Sequence, residues 1–193
     1  MRIIAGSRKG ARIFAPAGRE TRPTGDRVRE AAFNLIGPVD GARVLDLYAG
    51  SGAMGLEALS RGAVRVTFVE SGREALRAIE RNLDKLRLAG AEVVAGDAAR
   101  RVAADASAGR RYDLVLIDPP YRMLETALAK LAPHLAAVVE PHGLVVVESD
   151  ARETPELPLP LRTSRRYGAS RVSVFEAPTP VGAGSVRPEE RSA

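Results

Sequence analysis

From Ala42 to Asp150 the sequence alternates short apolar runs with longer amphipathic stretches, and this alternation constrains the fold more than any other feature. The spacing predicts strands at 43–48, 65–70, 91–95, 112–118 and 143–149, with helices at about 53–61, 72–89, 97–105 and 123–138. Strand and helix in strict turn require parallel strands with crossover helices on both faces of one sheet. After Asp150 the alternation ends. Leu161–Tyr167 and Arg171–Glu176 read as two further strands joined by Gly168-Ala169-Ser170, an antiparallel pair at the sheet's edge. The expectation is therefore an α/β domain built on a seven-stranded, mostly parallel sheet with a C-terminal edge hairpin. A chain of 193 residues, 45% of them hydrophobic, is long enough to close one such core.

Ahead of this block lies a basic segment. Residues 2–5 and 10–15, separated by Gly6-Ser7-Arg8-Lys9-Gly10, predict a small β-hairpin with Arg8 and Lys9 at its tip. Pro16 to Gly25 reads as a loop. Val28, Ala31, Ala32, Leu35 and Ile36 then recur at helical spacing, with Asp26 or Thr24 available as a cap and Gly37-Pro38 as the stop. The expected organisation is a basic arm over 1–25, a domain over 26–177 and a disordered tail over 178–193, rich in Gly, Pro and charge. Residues 1–29 carry eight basic side chains against two acidic ones, whereas the other 164 residues carry 21 basic and 22 acidic. The whole surplus of the net +5 sits at one end, the footprint of a surface for a polyanion or of a solvated arm.

Several chemistries drop out. With no cysteine there are no disulfides, thiolate nucleophiles or thiolate metal sites. His134 and His142 sit beside prolines and read as surface or turn residues, so no metal is expected. No apolar run approaches the roughly 20 residues needed to cross a bilayer, and the first residues lack the apolar core of a signal peptide. A cytoplasmic protein is the default expectation.

Four predicted parallel strands end in an acid: Asp46, Glu70, Asp97 and Asp118. All four would stand along the carboxyl edge of the sheet, where open α/β sheets hold their ligands. The first strand runs into Tyr48-Ala49-Gly50-Ser51-Gly52-Ala53-Met54-Gly55, a glycine-rich turn opening a helix. Such a turn lets the backbone approach a ligand and aims helix N-terminal amides at it, a device that nicotinamide and flavin cofactors share. Asp46 favours a cationic ligand instead, such as the sulfonium and amino-acid portion of S-adenosylmethionine, because a carboxylate there would repel a pyrophosphate. Glu70 could accept ribose hydroxyls and Asp97 an adenine amine; the plainer alternative for either alone is a helix N-cap. The fourth strand ends in Asp118-Pro119-Pro120-Tyr121. Two prolines hold Asp118 and Pro119 extended, so a carboxylate, a rigid carbonyl and an aromatic face are presented together. That set suits a planar group bearing an amine; the plainer alternative is an acidic turn with a proline stop.

Asp118-Pro119-Pro120-Tyr121 resembles the Asp/Asn-Pro-Pro-Tyr/Phe signature of class I S-adenosylmethionine-dependent amino-methyltransferases. More narrowly, Arg2-Ile3-Ile4-Ala5-Gly6, Arg22-Pro23-Thr24-Gly25-Asp26-Arg27-Val28-Arg29-Glu30, Phe33-Asn34 and Asp46-Leu47-Tyr48-Ala49-Gly50-Ser51-Gly52 are similar to the RsmD family over about residues 2–176. The resemblance implies a Rossmann-like class I methyltransferase fold and methylation of the exocyclic N2 amine of one guanine in small-subunit ribosomal RNA. It implies that Asp46, Tyr48, Ala49, Gly50, Ser51, Gly52, Glu70, Asp97 and Ala98 hold the cofactor, with Thr24 to Asn34 folding over its methionine end through Arg29 and Asn34. Asp118, Pro119, Pro120 and Tyr121 would be catalytic. Arg2, Arg8, Lys9, Arg12 and Arg22 would contact RNA, either free or in the assembled small ribosomal subunit, and the protein would act as a monomer. A DNA amino-methyltransferase, a dinucleotide-dependent oxidoreductase and a non-catalytic ribosome-assembly factor are the competing readings.

Overall fold

A computed structural model describes residues 1–15 and 25–178. The predicted loop over 16–24, with Arg22 and Thr24, and nearly all of the predicted tail lie outside the described residues.

The elements follow the predicted alternation. They are α1 (Asp26–Ile36), β1 (Arg43–Leu47), α2 (Ala53–Ser60), β2 (Arg65–Glu70), α3 (Arg73–Leu86), β3 (Ala91–Ala95), α4 (Ala98–Ser107), β4 (Tyr112–Ile117), α5 (Leu124–Val138), β5 (Val139–Asp150), β6 (Leu161–Tyr167) and β7 (Ser170–Glu176). The strands form one sheet in the order β3-β2-β1-β4-β5-β7-β6. β1 to β5 are parallel and β7 runs antiparallel to both β5 and β6. Successive strands step one way from β1 and the other way from β4. The crevice outside the carboxyl ends of β1 and β4 is thus the switch point where such sheets take ligands.

Both faces of the sheet are buried because successive strand residues point to opposite sides. Val44, Val66, Phe68, Leu114, Leu116, Val172 and Val174 pack under α1, α2 and α3, while Leu45, Leu47, Val69, Val115, Ile117 and Phe175 pack under α4 and α5. Asp46 lies between Leu45 and Leu47, and so falls on the α2 side. Gly55 of α2 crosses β2 so closely that a Cβ there would stand 2.3 Å from Phe68 Cε1. This glycine therefore serves packing between helix and strand.

Three local expectations differ from the structure. β5 begins at Val139, directly after α5, not at 143. Glu140-Pro141-His142-Gly143 looks like a turn in sequence but is a bulge: Tyr112 pairs with Val139 and Leu114 with Leu144, and His142 adopts φ +62°. α1 is capped by Gly25 without a side-chain bond, so Asp26 is the first helical residue and its carboxylate meets Arg29 and Arg2 instead. The N-terminal segment has one antiparallel bridge, Arg2 to Arg12, closed over a short 3-10 turn at Gly6–Arg8.

That segment is bound closely to the domain. Ile3 and Ile13 are buried in the same core as α1 and α2. The buried Glu57 carboxylate of α2 accepts the Ile4 and Ala5 N–H groups at 2.7 and 3.0 Å. Ser60 accepts from the Arg8 N–H at 3.0 Å and donates to the Ala5 carbonyl. Asn82 of α3 accepts from the Phe14 N–H at 2.7 Å and donates to its carbonyl at 3.0 Å. Arg81 and Lys85 lie over the Phe14 ring, 4.2 and 4.7 Å from its centroid.

Candidate active site

The rim of the crevice is assembled by the ends of four parallel strands. After β1 the chain turns sharply: Tyr48 takes φ +59°, unusual for a residue with a side chain, and Gly52 takes φ +79° as the N-cap of α2. The Asp46 carboxylate accepts the Gly55 N–H at 2.9 Å, so a strand residue satisfies one of the donors at the start of α2. Asp46 is 2% exposed. Burial, with the negative charge of Glu70 nearby, pushes its pKa up to about 7, although the Gly55 bond acts the other way.

Glu70 ends β2 with its carboxylate held by three backbone donors: Gly50 at 2.9 Å, Ser71 at 2.8 Å and Gly72 at 2.7 Å. It thereby bridges the glycine turn to the start of α3. Asp97 accepts the Arg100 N–H at 2.9 Å and is the N-cap of α4, with Ala98 opening that helix. Burial, and then the charge of Asp97 at the end of β3, raise the Tyr48 phenol above its usual range.

Asp118 follows β4, with its backbone N–H directed at the Leu47 carbonyl beside it. Pro119 is buried and Pro120 exposed and extended at φ −52°, ψ 133°. Tyr121 starts a 3-10 turn, half-buried, with its hydroxyl 3.1 Å from Ser170 Oγ at the start of β7. Asp46, Tyr48, Ala49, Gly50, Ser51, Gly52, Glu70, Asp97, Ala98 and Asp118 to Tyr121 thus share one rim, on β1 to β4 and the turns that follow. Among the described residues no His, Asp or Glu cluster could hold a metal ion.

Other predicted residues fall elsewhere. Arg29 is fully buried, and its guanidinium meets Glu57 at 3.6 Å, Asp26 at 3.0 Å and the Arg2 carbonyl. It fastens the N-terminal segment to α1 and α2, because a buried cation needs a buried partner. Asn34 is exposed on α1. Arg8 is not at a free tip: its guanidinium donates to the Leu86 and Arg87 carbonyls, closing the C-terminus of α3. Arg2, Lys9 and Arg12 are exposed, and Arg2 and Lys9 line a cleft with Asp26, Arg27 and Glu30.

Two residues escape sequence reasoning although each leaves a trace. Glu57 is the one acid in the apolar helix Ala53–Ser60, and Asn82 interrupts the buried stripe Ala75, Ala78, Ile79 and Leu86 of α3. Asn82 also donates to the Ser51 carbonyl at 3.0 Å, which ties the glycine turn to α3.

Sheet order, antiparallel C-terminal strands and the acid-lined switch point together define a class I methyltransferase fold. The family model described as Conserved hypothetical protein 95 matches residues 1–176, and the chain belongs to that family, the RsmD family. Ribosomal RNA small subunit methyltransferase D of Escherichia coli K12 is 36% identical over 177 residues, covering 90% of this chain and 87% of the relative. The protein of the same name from Haemophilus influenzae is 34% identical over 164 residues, covering 81% and 83%. The solved structure of a hypothetical protein from Thermus thermophilus superposes with TM-score 0.79 at 34% identity, covering 91% of this chain and 99% of that one. A more distant structure, SMU.776 complexed with SAH, shares the fold at 15% identity, TM-score 0.63, over 78% of this chain and 48% of its own.

Proposed function

We propose that this protein transfers a methyl group from S-adenosylmethionine to the exocyclic N2 amine of a guanine in small-subunit ribosomal RNA. The observation that carries this reading is the meeting of two devices at one switch point: the acid-lined glycine turn after β1 and the Asp118-Pro119-Pro120-Tyr121 stretch after β4. The names of the E. coli and H. influenzae relatives support the substrate class.

The residues fit a cationic nucleoside cofactor. Glu70, held by three backbone N–H groups, is a fixed acceptor suited to ribose hydroxyls. Asp46 is a buried acid whose charge is disfavoured by its surroundings, and a positive ligand nearby would relieve that penalty. Asp97, with Ala98 beside it, would take the adenine amine. S-adenosylmethionine, when bound, supplies the electrophilic methyl group; the protein's own part is to present the amine to it.

That amine is a weak nucleophile because its lone pair is delocalised into the guanine ring. Hydrogen bonds from its two N–H groups to the Asp118 carboxylate and the Pro119 carbonyl would favour a pyramidal nitrogen with its lone pair free. Tyr121 would stack on the base, which must leave its own stack to enter. Positioning and electrostatics then supply the rate, without covalent catalysis. Incubating small-subunit ribosomal RNA, free and in the assembled subunit, with labelled cofactor and analysing nucleosides by mass spectrometry tests the proposal. N2-methylguanosine is expected; label in another nucleoside, or none, would overturn it.

Asp46 gives the reaction a pH signature. Its folded pKa of about 7 lies above the ordinary carboxylate value of 3.8, so its contribution to stability is present at low pH and is lost as pH rises through about 7. Cofactor binding needs the charged form and runs the opposite way. Affinity for S-adenosylmethionine is expected to rise from about pH 6 to 7, with proton release on binding near pH 7 that is reduced in Asp46→Asn. Calorimetry in buffers of different ionisation enthalpy would measure this, and binding without pH dependence would remove the role.

On the RNA side, Arg2, Lys9 and Arg12, with Arg22 beyond the described residues, would track phosphates. Arg8 is engaged by α3 and leaves this set. Deleting residues 1–15 would take Ile3 and Ile13 out of the core, so point changes are the cleaner test. The triple variant Arg2→Gln, Lys9→Gln, Arg12→Gln is expected to weaken RNA binding and reduce the slope of log affinity against log salt by about one for each phosphate no longer neutralised. An unchanged slope in filter binding would count against these residues.

A further inference from the structure

We infer that the turn end of the β6–β7 hairpin is a second RNA-contacting surface, with Arg165 and Arg166 taking backbone phosphates beside the catalytic stretch. This rests on the RNA substrate proposed above, and it concerns a part of the chain outside the basic N-terminal segment.

β6 forms one edge of the sheet and reads Leu161-Arg-Thr-Ser-Arg-Arg-Tyr167, three cations without an acid. Arg162, nearest the start of the strand, lies 3.8 Å from Glu176. Arg165 and Arg166 are exposed, and among the described residues neither guanidinium has a hydrogen-bond or ion-pair partner. Arg166 stands directly across from Arg171, a like-charge pairing that weakens a hairpin. Arg171 meanwhile directs its guanidinium to Ser164 Oγ and the Ala151 carbonyl, at 3.0 and 3.1 Å. An edge strand gains protection against strand addition from charge of either sign. Protection alone therefore does not account for uniform positive charge at a position where it opposes folding. A polyanion bound there would.

The location fits the same substrate. Ser170 pairs with Asp150, so the hairpin's turn lies at the carboxyl end of β5, on the rim that carries Asp118. Ser170 is 5% exposed and its hydroxyl meets that of Tyr121 at 3.1 Å, a direct link from the hairpin to the catalytic stretch. Arg165 pairs with Val172, which is buried in the core shared by α1 and the N-terminal segment, so Arg165 lies on the face where the other cations cluster. Arg166 projects to the other face, and the two straddle the edge. RNA reaching Tyr121 would thus pass this pair of cations.

Filter binding of small-subunit ribosomal RNA and of the assembled subunit across a salt series tests this with Arg165→Gln/Arg166→Gln and, as a control, Arg165→Lys/Arg166→Lys. The Gln variant is expected to bind more weakly and to lose about one to two units of salt slope, with unchanged affinity for S-adenosylhomocysteine. The Lys variant should keep most of both. Wild-type affinity and slope in the Gln variant would overturn the assignment, as would equal losses in both variants, which would indicate packing. Methyl transfer to RNA by the wild-type protein is scored separately. Its absence alongside a lowered slope removes the catalytic reading only, and its presence with an unchanged slope removes the hairpin surface only.

Discussion

Asp118→Ala is expected to lower methyl transfer by a factor on the order of 10³ while leaving affinity for S-adenosylhomocysteine unchanged, the scale of loss when one preorganised polar group is removed from a reacting centre. The carboxylate is the only ionised acceptor in the stretch that would grip the amine; the Pro119 carbonyl alone cannot hold both of its N–H groups in place. The effect should fall on kcat more than on KM, because the interaction matters most as the nitrogen becomes pyramidal. Asp118→Asn keeps an acceptor oxygen but loses the charge, and intermediate activity is expected of it. Single-turnover assays with labelled cofactor, beside calorimetric titration of the product, separate the two quantities. Wild-type turnover in Asp118→Ala would remove the residue from the mechanism.

The largest effect on stability is expected at Glu57, far from the chemistry. Its fully buried carboxylate meets the fully buried Arg29 at 3.6 Å and Arg61 at 2.8 Å, besides the Ile4 and Ala5 N–H groups. Glu57→Ala removes one of the two carboxylates that meet the buried Arg29 guanidinium, leaving only Asp26, and orphans two backbone donors, a loss of about 3–5 kcal/mol. Urea unfolding followed by circular dichroism measures it, with faster amide exchange expected over residues 3–5. A loss below about 1 kcal/mol would show that Asp26 alone suffices to balance Arg29.

The parallel sheet and its rim were legible because period and composition agreed from Arg43 to Ile117. Four strands, each carrying an acid within or just past its last two residues and followed by a helix, leave little freedom in topology. Asp46, Glu70, Asp97 and Asp118 could be placed on one edge from spacing alone. What spacing could not convey was which hydrogen bonds each side chain makes. Asp46 and Asp97 bond to the first turns of α2 and α4, and Arg8 and Arg29 look alike in sequence to solvated cations. One closes a helix end and the other lies wholly inside. The links that hold Arg8 join residues 52 to 79 positions apart, beyond any local pattern. The bulge at Glu140 to Gly143 was hidden for a different reason. Proline and glycine in succession signal a turn, yet β4 offers a partner that accommodates the extra residues within the strand.

Asn82 has a consequence reaching past its own bonds. One amide group grips the backbone of Phe14 with both its oxygen and its nitrogen, while that nitrogen also takes the Ser51 carbonyl. The segment proposed to meet RNA and the loop proposed to cradle the nucleoside are therefore latched to a single side chain. Removing that one side chain would release both at once, freeing the Phe14 backbone and the Ser51 carbonyl together.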